Sequence, residues 1–285
     1  MGALNMNMNM NMNMNVGMPV IGSSGGASTQ VRFNTADYRK LVTNPPGWKL
    51  AIDPLPSFPK SWDPDLRSYL YLNDFVINNS GWEAVLEAIA DPFLTQLTAN
   101  YEGQLALVLD ASPDREDRFL EIIQQNDADG SIGYFLAMLM IDPPRYKDTY
   151  LLIRVARRIG ELVTMGLKGH YMIPRPPQVC PAIVPMIDPP ITPSFPAGHA
   201  LEATLIARCL MESWGKDVSG FVLPSRVDLL TYLAGRIGEN RVIAGIHYPL
   251  DIKAGHEVAE ACYGLMQKSP IFVDLVAAAH QEAVV

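Results

Sequence analysis

Three short segments in the second half of the chain place cationic and histidine side chains beside glycine and proline. They are Lys168–Pro176, Pro193–His199 and Asn240–Asp251. The chain as a whole has a net charge of -8. An acidic protein that binds an anion must concentrate its positive charge locally. These segments therefore mark a candidate anion site with histidines beside it.

The pattern of the second segment is typical of the start of a helix. Pro196 suits the first helical turn, since proline at that position loses no N–H that the helix needs. The free backbone N–H groups of such a turn carry partial positive charge and bind anions. Gly198 lets an anion approach the backbone closely, and His199 lies in the same turn. This segment is predicted to bind the anion through Ala197 and Gly198.

The third segment reads as a junction between two helices. Arg241 is predicted near the end of one helix, Gly245 breaks it, and Pro249 starts the next. His247 then lies in the junction, four residues before Asp251. A carboxylate at that distance accepts the Nδ1–H of the histidine and leaves Nε2 free to act as nucleophile or base.

The elements that must position these segments are helical. Apolar residues recur at three- and four-residue spacing in the following ranges: 82–97, Tyr134–Ile141, Asp148–Lys168, Ala197–Trp214, Pro224–Ala244, Pro249–Met266 and Ile271–His280. Breaks are predicted at 110–115 and Asp127–Gly130. Lys168 ends the long helix, and Arg175 lies in a proline-rich loop from Pro174 to Pro196. No stretch resembles a strand, so the sequence predicts an all-α fold.

Domain organisation is simple. Residues 1–30 are a low-complexity run of Asn, Met, Gly and Ser, and are predicted to be a disordered tail. Residues 31–285 are predicted to form one helical-bundle domain. His170, which lies in the first segment, could border the site, but His170, His256 and His280 are interpreted as non-catalytic. Glu202, one turn after His199, could touch the site but is interpreted as a charge on a helix face.

Composition excludes several classes of protein. The pI near 5.1 argues against a nucleic-acid or membrane-surface binder, which needs a basic face. Cys180, Cys209 and Cys262 are too few and too scattered for a disulfide framework or a zinc site. The longest apolar stretch, Ile132–Ile141, is far shorter than the roughly 20 residues of a membrane span. With no signal peptide recognisable, the expected location is cytoplasmic, without an integral membrane segment.

Order and spacing together resemble the signature of the type 2 phosphatidic acid phosphatase superfamily. That superfamily includes bacterial non-specific acid phosphatases and vanadium-dependent haloperoxidases. The matching residues are Lys168, Arg175 and Pro176; Pro196, Gly198 and His199; and Arg241, His247 and Asp251. The resemblance covers roughly residues 150–260. Ala197 and Asn240 stand where the family usually has serine, and a lost hydroxyl donor costs about 1–3 kcal/mol.

The resemblance implies a helical phosphatase that needs no metal or cofactor and acts on a small-molecule phosphate ester. Lys168, Arg175, Arg241 and the Gly198 amide would hold the phosphoryl oxygens. In this family's mechanism the residue matched by His247 attacks phosphorus and is oriented by the one matched by Asp251. The residue matched by His199 protonates the leaving oxygen and later activates water.

Other functions remain open from the sequence. A vanadium haloperoxidase would hold vanadate on His247, and the Pro193–Pro196 run is similar to the haloperoxidase form of the second motif. The run His170-Tyr171-Met172 instead resembles the phosphatases, and of the two functions the phosphatase is favoured. A non-enzymatic helical scaffold and a diphosphate-processing enzyme are further alternatives. The natural substrate is undetermined, and homo-oligomerisation is left open.

Overall fold

The computed structural model describes residues 62–217 and 219–284. From Pro64 onward the described residues form one compact unit. The predicted tail over residues 1–30 lies outside the described residues, as does the predicted start of the domain at residue 31. Both stay predictions.

Eleven α-helices and one short 3-10 turn make up the secondary structure of the described residues. The helices are α1 (Pro64–Asn78), α2 (Trp82–Ala99), α3 (Tyr101–Asp110), α4 (Arg115–Gln124), α5 (Ala128–Leu139), α6 (Lys147–Tyr171), α7 (Pro176–Val179), α8 (Gly198–Trp214), α9 (Pro224–Ile243), α10 (Pro249–Met266) and α11 (Pro270–Ala283). The 3-10 turn is Ser112–Asp114. One isolated bridge between Lys216 and Val222 is the extent of β-structure over these ranges, and the predicted all-α fold is confirmed.

Helix α8 is the centre of the bundle. It packs against α6, α9, α10 and α11, and most of its side chains are buried. A helix that is apolar on most faces is stable when it is enclosed by other helices. Ala200, Ala203 and Ala207 are small enough to let the neighbours approach closely. The first turn of α8, which carries the second motif, is thereby fixed in the interior.

Helix α6 is long and amphipathic, and one of its buried faces packs against α8. A Cβ added to Gly160 would stand 3.3 Å from the side chains of Leu201 and Leu205 on α8. Thr164 and Lys168 follow Gly160 at four-residue spacing, so they share this face, and both are buried. The face that packs against α8 therefore also carries the Lys168 side chain into the interior.

Two predicted boundaries differ from the observed ones. The break expected at Asp127–Gly130 is present but lies at residues 125–127, because the Asp127 side chain accepts a hydrogen bond from the Gly130 amide at 2.6 Å and caps α5, which begins at Ala128. Helix α8 begins at Gly198, so Pro196 lies before the helix and not in its first turn.

Within the described part of the chain, none of the helices combines the length and apolar character that crossing a membrane requires.

Candidate active site

The junction between α9 and α10 orients His247. Gly245 has φ +82°, a conformation that glycine adopts without strain, and it turns the chain after α9 ends. Two residues later His247 is buried, and its Nδ1 lies 2.8 Å from Oδ2 of Asp251, in the first turn of α10. The hydrogen bond expected from the four-residue spacing is therefore present.

Asp251 joins the second and third motifs. Its Oδ2 also accepts hydrogen bonds from Ser194 Oγ at 2.5 Å and from the Tyr248 amide at 3.0 Å. Its backbone carbonyl accepts the Ala197 N–H at 3.0 Å. Burial raises the pKa of Asp251, while the Ser194 and Tyr248 hydrogen bonds oppose that rise. One residue thus fixes the imidazole of His247 and the entry to α8.

The other nitrogen of His247 faces Arg175. Nη1 of Arg175 lies 3.1 Å from Nε2. A guanidinium can only donate, so Nε2 accepts and its lone pair points toward the cation. Nδ1 then carries the proton and donates it to Asp251. Burial and the nearby Arg175 and Lys168 charges hold the pKa of His247 well below its usual value, which keeps the ring neutral.

Arg175 is held by the proline-rich loop and by the α9–α10 junction. Its Nε donates to Thr192 O, its Nη1 to Ile246 O, and its Nη2 to Thr192 Oγ1 and Pro193 O. With the contact to His247, all five N–H groups have a partner. The partners are neutral, so the charge of Arg175 is not compensated by an ion pair.

Lys168 reaches the same loop from the end of α6. Its ammonium donates to the carbonyl oxygens of Pro193 and Ser194. An ammonium has three N–H donors, so one remains for another acceptor. Burial lowers the pKa of Lys168 to about 7, and the nearby Arg175 charge lowers it too.

Arg241 is the least satisfied cation of the site. It is fully buried in the last turn of α9. Its Nη2 donates to Ile122 O at 3.1 Å, whereas its Nε and Nη1 have no hydrogen-bond partner. Burial lowers its pKa to about 10. Buried polar groups are normally hydrogen-bonded, so these free donors indicate a place for an acceptor that carries negative charge.

His199 in the first turn of α8 is oriented by the N-terminal half of the chain. Its Nε2 lies 2.9 Å from the carbonyl oxygen of Gln125. A carbonyl only accepts, so Nε2 carries the proton and Nδ1 is left free to exchange one. Burial and the neighbouring Arg241 charge lower the pKa of His199 to about 3. A bound anion would offset the Arg241 charge and raise this pKa.

The structure brings together Lys168, Arg175, Gly198, His199, Arg241, His247 and Asp251. Ala197 has a different place from the one expected, because its N–H is occupied by the Asp251 carbonyl and its side chain has no donor. Ala197 therefore connects α8 to α10 and offers no ligand to an anion.

Glu202 is more than a charge on an exposed helix face. Its side chain is 20% exposed and lies 4.0 Å from Arg157 Nε. Its Oε1 is 3.7 Å from the point where a Cβ on Gly198 would stand, so it borders the anion site. Burial raises the pKa of Glu202 to about 7.

The other three histidines lie outside this cluster. His170 is exposed and its Nδ1 lies 3.4 Å from Glu87 Oε1. His256 pairs with the Thr204 hydroxyl and His280 with the Ser213 carbonyl, both at 2.7 Å. Their interpretation as non-catalytic residues stays a prediction.

Sequence reasoning missed the residues that support the site. In the sequence Ser194 is only one residue of the Pro193–Pro196 run, and nothing there predicts its hydrogen bond to Asp251. The break near Gln125 likewise does not predict the contact between its carbonyl oxygen and His199. Asn240 donates to Gln125 Oε1 at 2.8 Å and to Glu121 Oε2 at 3.1 Å. The Asn240 side chain therefore anchors the end of α4, where Ile122 and the following Gln125 supply the two carbonyl oxygens.

Chemically, the arrangement provides uncompensated positive charge, a neutral imidazole with its lone pair directed into the site, and a second histidine for proton transfer. Among the described residues no group of three or more His, Cys, Asp or Glu side chains is arranged to hold a metal ion. The site is built from donors and is therefore complementary to an oxyanion.

No family model matches the chain. A curated relative is the non-specific acid phosphatase of Salmonella typhimurium strain LT2, which is 30% identical to the chain over 89 residues. The match covers 31% of the chain and 32% of the relative, so the chain spans about a third of the length of the curated protein it matches. This partial likeness is to a phosphatase and supports that class of enzyme.

Proposed function

We propose that this protein is a phosphatase that hydrolyses a phosphate ester through a phosphohistidine on His247. The observation that carries the proposal is the buried pairing of a neutral, Asp251-oriented imidazole with cations that lack a negative partner. Arg241 has two free donor nitrogens, and Nε2 of His247 already lies 3.1 Å from Arg175. The partial match to an acid phosphatase supports the same reaction class.

The first step transfers the phosphoryl group to the enzyme. The phosphoryl oxygens bind Arg241, the remaining N–H of Lys168 and the Gly198 amide, and draw Arg175 Nη1 away from His247. Nε2 of His247 attacks phosphorus, and the P–N bond forms as the bond from phosphorus to the leaving oxygen breaks. His199 takes up a proton on Nδ1 when the bound anion raises its pKa, and it gives that proton to the leaving oxygen.

The second step releases phosphate. Neutral His199 removes a proton from a water molecule, and the water oxygen attacks phosphorus as the P–N bond breaks. His247 leaves as the neutral imidazole, whose Nδ1–H has stayed hydrogen-bonded to Asp251 throughout. During the intermediate the ring is positively charged, and the Asp251 carboxylate stabilises that charge. The enzyme is thereby returned to its starting state with one phosphate formed.

The proposal is tested by the release of p-nitrophenol from p-nitrophenyl phosphate between pH 4 and 8. We expect His247→Ala to lower kcat by at least about 10³-fold, because the nucleophile is removed. His170→Ala is the matched control, since it deletes an exposed histidine outside the site, and its rate should equal that of the unaltered protein.

A trapping experiment tests the intermediate. Rapid quenching with labelled substrate should leave an acid-labile, base-stable label on the protein. The label should be absent in His247→Ala and should accumulate in His199→Ala, because water is then no longer activated. An unaltered protein that releases no phosphate contradicts the proposal, as does one that oxidises halide with peroxide after vanadate loading.

A further inference from the structure

The threonines of the helices show what a hydroxyl normally does in this fold. Thr95, Thr204 and Thr231 each donate to the carbonyl oxygen of the residue four positions earlier, at 2.7–3.0 Å. This bond satisfies a helical hydroxyl locally. Thr164 on α6 is fully buried, yet its Oγ1 has no hydrogen-bond partner. The hydroxyl of Thr164 is therefore available to a ligand.

Thr164 lies directly against the anion-binding turn of α8. Its Cγ2 is 3.1 Å and its Oγ1 3.7 Å from the point where a Cβ on Gly198 would stand. Lys168 follows four residues later and so shares its helix face. The hydroxyl thus lies beside the first turn of α8, on the same face of α6 as Lys168.

The site lacks a neutral hydroxyl donor at the position next to Gly198 in sequence. Ala197 has only a methyl group, and its N–H is occupied by the Asp251 carbonyl. We infer that the Thr164 hydroxyl supplies such a donor from α6 and binds an oxygen of the bound oxyanion. Thr164 is then a ligand of the phosphoryl group alongside Lys168 and Arg241. This inference rests on the proposed function for the identity of the anion, but not for the existence of the anion site.

The inference predicts opposite effects on stability and on binding. Thr164→Val keeps the shape of the side chain and removes a buried hydroxyl that has no partner, so the anion-free protein should melt at the same or a higher temperature. Sulfate affinity, measured by calorimetry, should fall roughly 10- to 100-fold, which is the effect of one hydrogen bond to a charged group. Thr164→Ser retains the hydroxyl and should bind sulfate nearly as tightly as the unaltered protein.

Thr204→Val is the matched control, because the Thr204 hydroxyl already donates to Ala200 O and contacts His256. It should lower the melting temperature and leave sulfate affinity unchanged. Equal sulfate affinity in Thr164→Val and the unaltered protein overturns the inference, as does an unaltered protein that binds no sulfate. If sulfate binds as described but no ester is hydrolysed, the proposed function fails and the role of Thr164 stands.

Discussion

Two sets of cations, one on the first half of helix α6 and one around its end, differ in how their charge is balanced. In its first half, Arg154 and Arg158 face the carboxylates of Asp65, Asp129 and Glu161. At its end, Lys168 lies with Arg175 and Arg241, and none of these three forms an ion pair with a carboxylate within the described ranges. The first set is neutralised by the protein itself. The second has no ion-pair partner within these ranges, and the proposed function gives it one in the bound anion.

Cations that are paired with carboxylates stabilise the fold, whereas the unpaired cations are, under the proposed function, the ones that bind the substrate. Burying a cation is unfavourable unless a partner compensates it. Under the proposed function, a bound anion supplies the negative charge that these three cations lack in the free protein. Substitutions and pH changes that act on one set and not on the other test this difference.

The largest effect is expected from replacing Arg241. Arg241→Met should weaken sulfate binding at least about 100-fold, because it removes the main donor of the site. It should also stabilise the anion-free protein by about 1–3 kcal/mol, since an uncompensated buried charge is lost. Sulfate titration and urea unfolding measure the two effects.

Arg154→Met is the matched control for Arg241→Met. It removes a cation that carboxylates compensate, so it should destabilise the protein by about 1–2 kcal/mol. The loss is modest because Asp129 is mainly exposed and solvent weakens its ion pair with Arg154. Sulfate affinity should not change. If both variants shift stability in the same direction, the contrast between the two sets is wrong.

A smaller effect is expected from pH, through Lys168. Its pKa of about 7 in the free protein rises when an anion binds, so binding takes up a proton as pH increases past 7. Affinity should therefore be constant below about pH 7 and fall by up to about tenfold per pH unit above it. Sulfate is the suitable probe, because its own charge is constant over this range.

Lys168→Arg tests the origin of that pH dependence. Arginine stays charged across the range, so this variant should show a much flatter profile above pH 7. An unaltered protein whose sulfate affinity is the same at pH 6.5 and 9 would contradict the role given to Lys168.

The smallest effect is expected from Glu202, the carboxylate that borders the site. With its pKa raised to about 7, it is mostly neutral in mild acid and negative above neutrality, where it repels the anion. Glu202→Gln should improve sulfate affinity roughly three- to fivefold at pH 8.5 and leave it unchanged at pH 5.5. Glu260→Gln is the control, because the pKa of Glu260 is also raised by burial but its partner Arg208 is not part of the site.

The sequence predicted the parts of this site that depend on local spacing. Four residues from His247 to Asp251 place a histidine and a carboxylate in hydrogen-bonding distance across a helix start, and Gly245 and Pro249 mark that junction. The periodicity of α6 likewise predicts that Lys168 lies at the end of a long helix. These relations depend on residues that are close in the chain.

Hydrogen bonds between residues that are far apart in the chain could not be predicted from local spacing. The carbonyls of Ile122 and Gln125 orient Arg241 and His199, and every residue has a carbonyl whatever its side chain. The pairing of Ser194 with Asp251 depends on how the proline-rich loop folds back over α10. Such contacts follow from packing and leave no pattern of residue types along the chain.

The hydrogen bond between Arg175 and Nε2 of His247 has a consequence for chemical selectivity. Under the proposed mechanism, the lone pair that attacks phosphorus is covered by a guanidinium until an anion competes for that guanidinium. A neutral electrophile has no negative charge to compete for the guanidinium. The lone pair of Nε2 then stays hydrogen-bonded to Arg175 and cannot attack. The resting site thus discriminates by the charge of the molecule that enters, before any contact with its leaving group is made.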